Sequence, residues 1–385
     1  MFLAFKTELK PTPEQCTKIA QTIGVCRFLY NRFLALNVDR HRTGQSFMSG
    51  YDFDKYVNHE LGEEQPWIKH TCGSKARKKA IMNAQTAFQR FFQGLSKRPR
   101  FKKKQRQDTG AYFPKNNKGD LLVERHRIKV PTIGWIRLKE YGYIPTDEKV
   151  ISCTLTQKAD RYYISVLVEV GSTPATTDLH GSGLGVDLGI KGFAFTSKGE
   201  SFRNINKTST VKQDEKRLKR AQRALSRKYE AKKRGEKSAT ERGSNIRKNI
   251  LRVQKLHQRL ANKRKAYRAW VVSQLVKTKP AYITIEQLHV RGMMKNRHLA
   301  KAIAAQGFYD FQQQLQQACV KWKIELREVG LFYPFSKLCS CCGRKKIKLS
   351  LSERTFHCDH CGYKGDRDIN AAINLAQARE YAILT

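Results

Sequence analysis

The sequence predicts a multidomain chain of mixed α/β and α+β class. A small β-barrel with a helical insertion comes first, then an α/β core with a cysteine-bearing module near its end. Three observations predict it. Short β runs with turn signals fill residues 110–170. Two later apolar strands, Leu184–Gly189 and Ala281–Glu286, each carry one acid and flank a long basic helical stretch. Two C-x2-C pairs then precede a short apparent helix at the C-terminal end. At 385 residues there is room for two or three domains with ample core.

Charge narrows the function. Lys and Arg number 75 against 33 Asp and Glu, a net +42. Hydrophobic residues at 40% and aromatics at 10% argue against a wholly disordered basic tail. No apolar run approaches the ~18 residues of a membrane span. The opening Met1-Phe2-Leu3-Ala4-Phe5-Lys6 meets a charge too early for a signal peptide. A membrane or secreted protein is therefore not expected, and a cytoplasmic one is. A compact chain this basic repels itself unless a polyanion offsets the charge, so nucleic acid is the expected partner.

Residues 2–9 read as a strand. Thr12 and Pro13 mark a helix entry, after which Ile19, Ile23, Cys26, Tyr30 and Phe33 recur at helical spacing. A second helix is expected over 74–95, capped by Ser74, with Ile81, Ala84, Phe88, Phe91 and Leu95 on one face. The two faces are expected to pack on each other, since such stripes are core far more often than binding surface. Seven bases then crowd residues 97–106: Lys97, Arg98, Arg100, Lys102, Lys103, Lys104 and Arg106. Pro99 and Phe101 break any helix there. A solvated loop is the plain alternative. A stiff basic segment beside folded structure points instead to phosphate contact by Arg100, Lys102, Lys103, Lys104 and Arg106.

The β runs Ile128–Val130, Gly134–Leu138, Val150–Leu155 and Tyr162–Val170 suggest the small barrel. Gly171-Ser172-Thr173-Pro174 reads as a linker. Over residues 211–268 stand 22 bases and five acids, with Gly235 and Gly243 dividing two expected helices. Leu218, Leu225, Ile250, Val253, Leu256 and Leu260 supply its apolar stripe. An excess of 17 (22 − 5) is too one-sided for salt-bridge lacing and points to polyanion contact.

In Leu184-Gly185-Val186-Asp187-Leu188-Gly189 the alternation sets Asp187 opposite Leu184, Val186 and Leu188, between two glycines that leave space for a ligand. A lone strand Asp is costly unless paired or metal-bound. Ala281-Tyr-Ile-Thr-Ile-Glu286 is a buried strand ending on a carboxylate, and Asp366-Arg-Asp368-Ile-Asn370 opens a late helix. Three acids from separated segments suit two hard divalent ions, Mg2+ or Mn2+, and attack on a phosphodiester. The plain alternatives are that Asp368 caps its helix and that Glu286 pairs with an arginine.

Of ten cysteines, Cys16, Cys26, Cys72, Cys153 and Cys319 are scattered and read as small buried hydrophobes. Cys339/Cys342 and Cys358/Cys361 are two C-x2-C pairs separated by 15 residues, the spacing of a structural Zn2+ ribbon. Gly343 and Gly362 each follow a pair, where the knuckle must turn. Cys341 is expected to be a spectator, with His357 and His360 as reserve ligands. A redox dithiol pair lacks its usual strand–helix context here.

These motifs resemble a family. Gly185-Val-Asp-Leu-Gly-Ile-Lys191 is similar to the first RuvC motif of the TnpB proteins (OrfB) of IS200/IS605- and IS607-type insertion sequences. Ile283-Thr-Ile-Glu-Gln-Leu288 is similar to the second motif, with Gln287 in place of a frequent Asp. Tyr333–Gly343 and Cys358–Gly362 resemble the zinc knuckles, and Asp366–Ala372 the third motif. Pro11–Gln15 and Pro99–Lys104 are also similar. The resemblance implies an RNase H-like (RuvC) core with an inserted zinc ribbon. Asp187, Glu286 and Asp368 would be its catalytic acids, with Asp366 a less favoured neighbour. It implies an RNA-guided DNA endonuclease associated with transposition and related to type V CRISPR nucleases. The partners would be a guide RNA from the same element and double-stranded DNA beside a short motif.

The expected division is a wedge-like barrel at 1–10 and 97–174, a helical recognition insertion at 11–96, and a RuvC-like core at 180–330. A ribbon at 331–365 and a completing helix at 366–385 follow. The alternatives are an RNA-guided repressor that does not cleave and an accessory DNA-binding protein of a transposase. A strand-joining transposase would need a His-hydrophobic-His pair, which is missing, and an unguided junction nuclease would not need this basic mass. Such repressors lose the acids, whereas this chain retains all three.

Overall fold

The computed structural model describes residues 2–104, 109–171, 182–234, 239–350 and 353–385. They form two compact units, divided between Thr173 and Pro174. Residues 172–174 of the expected linker lie outside the described residues. No helix among the described residues is long and apolar enough to cross a membrane.

In the first unit β1 (Phe2–Lys10) runs into α1 (Pro13–Arg42). Thr12 caps α1: its hydroxyl accepts from the Gln15 N–H at 3.3 Å, and the Gln15 side chain accepts from the Thr12 N–H at 3.1 Å. Three short helices that the sequence did not betray follow, α2 (Gly50–Asn58), α3 (Glu60–Glu64) and α4 (Trp67–Thr71), then α5 (Ser74–Phe92). Ile19, Ile23, Cys26, Tyr30 and Phe33 of α1 and Ile81, Ala84 and Phe88 of α5 are buried as expected. Phe91 and Leu95 are not: they are 37% and 66% exposed. The helix stops at Phe92, and Gly94 takes a left-handed φ of 71°, so Leu95 falls beyond its end. Gly73, not Ser74, occupies the cap position of α5.

Strands β2 (Gly110–Pro114), β3 (Leu122–Val123), β4 (Arg127–Val130), β5 (Gly134–Leu138), β6 (Lys149–Lys158) and β7 (Arg161–Glu169) join β1 in one antiparallel sheet. Its order is β2-β6-β7-β1-β5-β4-β3, so the first strand of the chain is central. The two end strands are not paired with each other among the described residues. Alternate residues such as Ile128 and Val130, or Ile164, Val166 and Val168, are buried in a core shared with α1 and α5.

The second unit is built on a six-stranded sheet. Its strands are β8 (Leu184–Leu188), β9 (Gly192–Thr196), β10 (Ser201–Arg203), β11 (Tyr282–Glu286) and β12 (Glu325–Val329), with β15 (Ala382–Ile383) at one edge. The order is β10-β9-β8-β11-β12-β15, with β8, β11 and β12 parallel. Strands β13 (Thr355–His357) and β14 (Lys364–Asp366) form a separate hairpin. Helices α6 (Ser209–Lys233) and α7 (Ala239–Lys277) pack on each other, and α8 (Val290–Met293), α9 (Ala300–Gln306), α10 (Phe308–Trp322) and α11 (Arg367–Ala376) complete the unit. Leu184, Val186, Leu188, Ile283 and Ile285 share a core with Val271 and Leu275 of α7 and Phe311 and Leu315 of α10. By alternation, Gly185 and Asp187 face the other way, toward α11.

The basic hairpin differs in its bounds. Gly243 lies inside α7, which continues to Lys277; Gly235 lies outside the described residues. Of the expected stripe Leu260 is buried and Leu218, Leu225, Ile250, Val253 and Leu256 are half-buried. Asp214 is 1% exposed and holds Lys263 at 2.6 Å, Arg259 at 3.0 Å and Arg217 at 3.6 Å. One acid thus fastens three bases, and these hold its carboxyl below the usual range, Lys263 foremost through its hydrogen bond.

Candidate active site and metal centre

Strands β8 and β11 pair with Val186 beside Ile285. Asp187 and Glu286 each come one residue later, so neighbouring strands deliver them side by side on one face. Helix α11 covers that face. A side chain at Gly185 would meet the Ala372 carbonyl oxygen and the Ala376 nitrogen. The room beside Gly185 is therefore filled by α11 and is not open to a ligand, contrary to the sequence expectation. This close approach brings the first turn of α11, with Asp368, toward Asp187.

The two acids of α11 have different tasks. The Asp366 carboxylate accepts from the N–H groups of Asp368 at 2.9 Å and Ile369 at 3.1 Å, so Asp366 is the helix cap. Asp368 does not cap. It is half-buried, with Arg354 at 3.7 Å. No arginine pairs with Glu286 among the described residues, which removes the plain alternative for that acid. Gln287, at the position of the departure from the motif, is exposed and donates to Glu328 at 3.4 Å.

Burial pushes Asp187 well above the ordinary carboxylate range, and the charges of Glu286 and Asp368 push it further. Burial alone raises Glu286 to about 7. Asp368 is raised by burial and by Asp366, partly offset by Arg354, Arg367 and Lys191. Three acids raised by burial, two of which also oppose the ionisation of the third, are a fitting donor set for hard divalent cations. Their oxygens do not gather as closely as the cysteine sulfurs described next, the one group within 4.8 Å among the described residues.

The Sγ atoms of Cys339, Cys342, Cys358 and Cys361 lie within 4.8 Å of one another. Cys339 and Cys361 are 3.6 Å apart, and Cys342 and Cys358 3.7 Å. Four thiolates at ~2.3 Å around a tetrahedral zinc would stand about 3.8 Å apart, so the donor set fits the ion. The two knuckles match. Gly343 donates to the Cys339 carbonyl at 2.8 Å and Gly362 to that of Cys358 at 3.1 Å, with φ of 73° and 72°. The N–H groups of Cys361 and His360 lower the Cys358 thiol to about 6. Cys341, His357 and His360 are exposed and outside the cluster.

Asn370 and Asn374 were not singled out in the sequence. Asn370 is fully buried; it donates to the Leu338 carbonyl at 2.7 Å and accepts from the Ser340 N–H at 2.9 Å. Asn374 donates to the carbonyls of Phe335 and Leu338, each at 2.8 Å. Both tie the helix of Asp368 to the first knuckle. Two asparagines inside a short helix, where that residue is a poor former, were the available signal.

Of the expected phosphate contacts, Arg100, Lys103 and Lys104 are exposed. Lys102 is half-buried: its backbone exchanges two hydrogen bonds with the Asn31 side chain, and its ammonium lies 4.4 Å from the Tyr30 ring centre. Arg106 lies outside the described residues.

Three family models match the chain: "Helix-turn-helix domain" over residues 1–46, "Probable transposase" (OrfB of IS605) over 165–297, and "Cas12f1-like, TNB domain" over 308–375. Within 1–46 the structure has a strand and one long helix. A "Putative RNA-guided DNA endonuclease" of Streptomyces pristinaespiralis is 30% identical over 97% of this chain and 89% of its own. A protein of Escherichia coli with the same name, InsQ, is 29% identical over 97% of this chain and 92% of its own. A Cas12f1 chain, solved by cryo-EM with sgRNA and target DNA, covers 98% of this chain and 99% of its own at 14% identity. Its TM-score of 0.37 is too low to carry the fold. The near-complete span of the Streptomyces relative and the transposase match lead to one conclusion: this chain belongs to the TnpB (OrfB) family of IS605-type insertion sequences.

Proposed function

We propose that the chain is a transposon-encoded, RNA-guided DNA endonuclease whose RuvC-type centre is Asp187, Glu286 and Asp368. The observation that carries it is the convergence of these acids from β8, β11 and α11, each raised by burial, with two of them raising the third by their charge. They would hold Mg2+ or Mn2+, which when bound supplies the Lewis acidity that phosphodiester hydrolysis needs. Two such ions would be held between carboxylates that come from three separate elements. Asp366 keeps Asp368 in place by capping α11, and α11 closes one side of the centre against water. A zinc held by the four cysteines would fold the ribbon and, being fully coordinated, take no part in cleavage.

The RNase H-like sheet with inserted ribbon, the barrel closure of the first sheet, and the division at 11–96 and 97–174 belong to the same proposal. So do guide RNA and double-stranded DNA as partners, phosphate contact by Arg100, Lys102, Lys103, Lys104 and Arg106, and action in the cytoplasm at the nucleoid. The +42 charge supports the RNA partner. Retention of all three acids speaks against a repressor that does not cleave.

The test is cleavage of a plasmid target by the protein purified with its RNA. Asp187→Ala, Glu286→Ala and Asp368→Ala should each abolish cutting and leave RNA copurification intact. Cutting that survives in any of the three would sink the proposal.

A further inference from the structure

The exposed aromatics at the end of α5 invite an explanation, because a helical stripe read as core ends in open solvent. Phe92 is 65% exposed and Phe47 43%. Phe88 and Phe92 are near parallel, at 15° and 5.8 Å between ring centres. Phe47 stands edge-on to both, at 5.4 Å and 5.9 Å, and Phe91 lies 5.6 Å from Phe92. The outer face of Phe92 is thus the free end of a stack already begun inside the protein. The rings are held in place. Met48 donates to the Asn37 side chain at 2.8 Å and the Arg40 side chain to the Ser46 carbonyl at 2.7 Å, which fixes the turn bearing Phe47. Leu95 and Ser96 donate to the Arg90 carbonyl at 2.9 Å and 3.1 Å, which fixes the end of α5.

The surroundings are basic. Phe47, Phe88, Phe91 and Phe92 line a cavity of about 470 Å³ with His41, Arg42 and Arg98, and no acid lines it. The acid nearest Arg42 is Asp39, at 3.8 Å with both side chains strongly exposed, a pairing worth little. A second copy of this chain would bring Arg42 and Arg98 against like charges on a +42 protein. A duplex would offer phosphates but hide the faces of its bases. Unpaired nucleotides offer both a ring for Phe92 and phosphates for Arg42 and Arg98.

We propose that Phe47, Phe91 and Phe92, with Arg42 and Arg98, form a stacking platform for an unpaired segment of RNA. RNA is favoured over DNA because a guide RNA exposes unpaired bases before any target is bound, whereas double-stranded DNA exposes them only once the guide has opened it. The platform rests on the RNA-guided reading of the chain and adds a contact that reading does not contain.

The test uses the full chain and a labelled 12-nucleotide oligouridine over a salt series. The comparison probes are a blunt RNA duplex and an oligothymidine of equal length. Phe92→Ala and Phe92→Leu should both weaken oligouridine binding, by about five- to a hundredfold for one stacked base. The slope of log affinity against log salt should stay unchanged, because every base that meets a phosphate is still in place. Phe92→Trp should retain affinity, and its added fluorescence should be quenched by the oligomer. Wild-type affinity in Phe92→Leu, an equal loss on the duplex, or a loss confined to oligothymidine would overturn the platform. So would a wild-type dimer that Phe92→Ala dissolves. Guided cleavage by the wild type without Phe92-dependent binding would remove the platform alone. Phe92-dependent binding in a protein that does not cleave would remove the nuclease reading alone.

Discussion

Asp366 and Asp368 stand two residues apart, and their backbone settings give them opposite fates. Asp366 has an extended backbone, with φ −62° and ψ 133°, and commits its carboxylate to two N–H groups of α11. Asp368, inside the first turn, leaves its carboxylate to the centre. Asparagine caps a helix about as well as aspartate. Asp366→Asn should therefore keep both the melting temperature and most of the cutting, whereas Asp368→Asn should lose the cutting. Loss in Asp366→Asn with retention in Asp368→Asn would reverse the assignment. Glu286 gives a second prediction. Its carboxyl is raised from 4.5 to about 7, so the folded protein binds more protons than the unfolded chain between those values. Without divalent ions, stability should fall as pH rises through that window, with Asp187 and Asp368 acting in the same direction. Mg2+ should restore stability increasingly as pH rises, because its binding displaces protons. Melting curves from pH 4.5 to 7.5 check this; an unchanged pH dependence in Glu286→Gln would refute it. The three acids were legible because each breaks an apolar pattern or opens a helix. The preference for Asp368 over Asp366 came only from the family resemblance, because the residues alone do not show which N–H groups each carboxylate reaches.

Among the elements, the four-cysteine ribbon and α11 are tied together by the hydrogen bonds of Asn370 and Asn374. The knuckles were legible because each is a local turn of five residues, with a glycine where φ must be positive. Their link to α11 was not, since Asn370 reaches back 32 residues to Leu338. Asn370→Ala would leave the Ser340 N–H without its acceptor, while the Leu338 carbonyl keeps Asn374 as a donor, and should cost about 1–3 kcal/mol. It should also reduce cleavage more than RNA binding, because Asp368 sits on the loosened helix. Denaturant melts and the ratio of cutting to binding measure both effects. Cys358→Ser should lower stability and zinc content together, from about one ion per chain, while Cys341→Ser should change neither. A Cys358→Ser protein that melts like wild type would contradict a folding role for the metal. The stripe of α5 shows the other limit. Ile81, Ala84 and Phe88 follow the period into the core, but the period does not reveal where the helix stops: Phe91 lies in its exposed last turn and Leu95 beyond its end. Helices α2–α4 are nine residues or fewer, too short for periodicity to register.

For the whole molecule the question is what the charge does. With 33 acids against 75 bases, internal pairing cannot neutralise it, and Asp214 shows how the few acids are used, one holding three bases at the root of the basic hairpin. Those bases serve the fold, and the excess of 42 positive charges over the acids is what a polyanion would offset. The segment at 97–104 divides in the same way. Lys102 is pinned to Asn31 and lies over Tyr30, whereas Arg100, Lys103 and Lys104 project outward. Changing Arg100, Lys103 and Lys104 together to glutamine should flatten the slope of log affinity for RNA against log salt, by roughly 0.7–0.9 for each phosphate no longer neutralised. Lys102→Gln should flatten it less and lower the melting temperature more, since a cation–π interaction of about 0.5–2 kcal/mol goes with it. Adding RNA should raise the melting temperature of the wild type, because the polyanion binds the folded state and relieves its self-repulsion. That rise should shrink in the triple variant and at high salt. An unchanged slope with an unchanged thermal shift would mean that these three side chains are only a solvated surface and that the guide is held elsewhere, with the basic hairpin of α6 and α7 the next segment to neutralise.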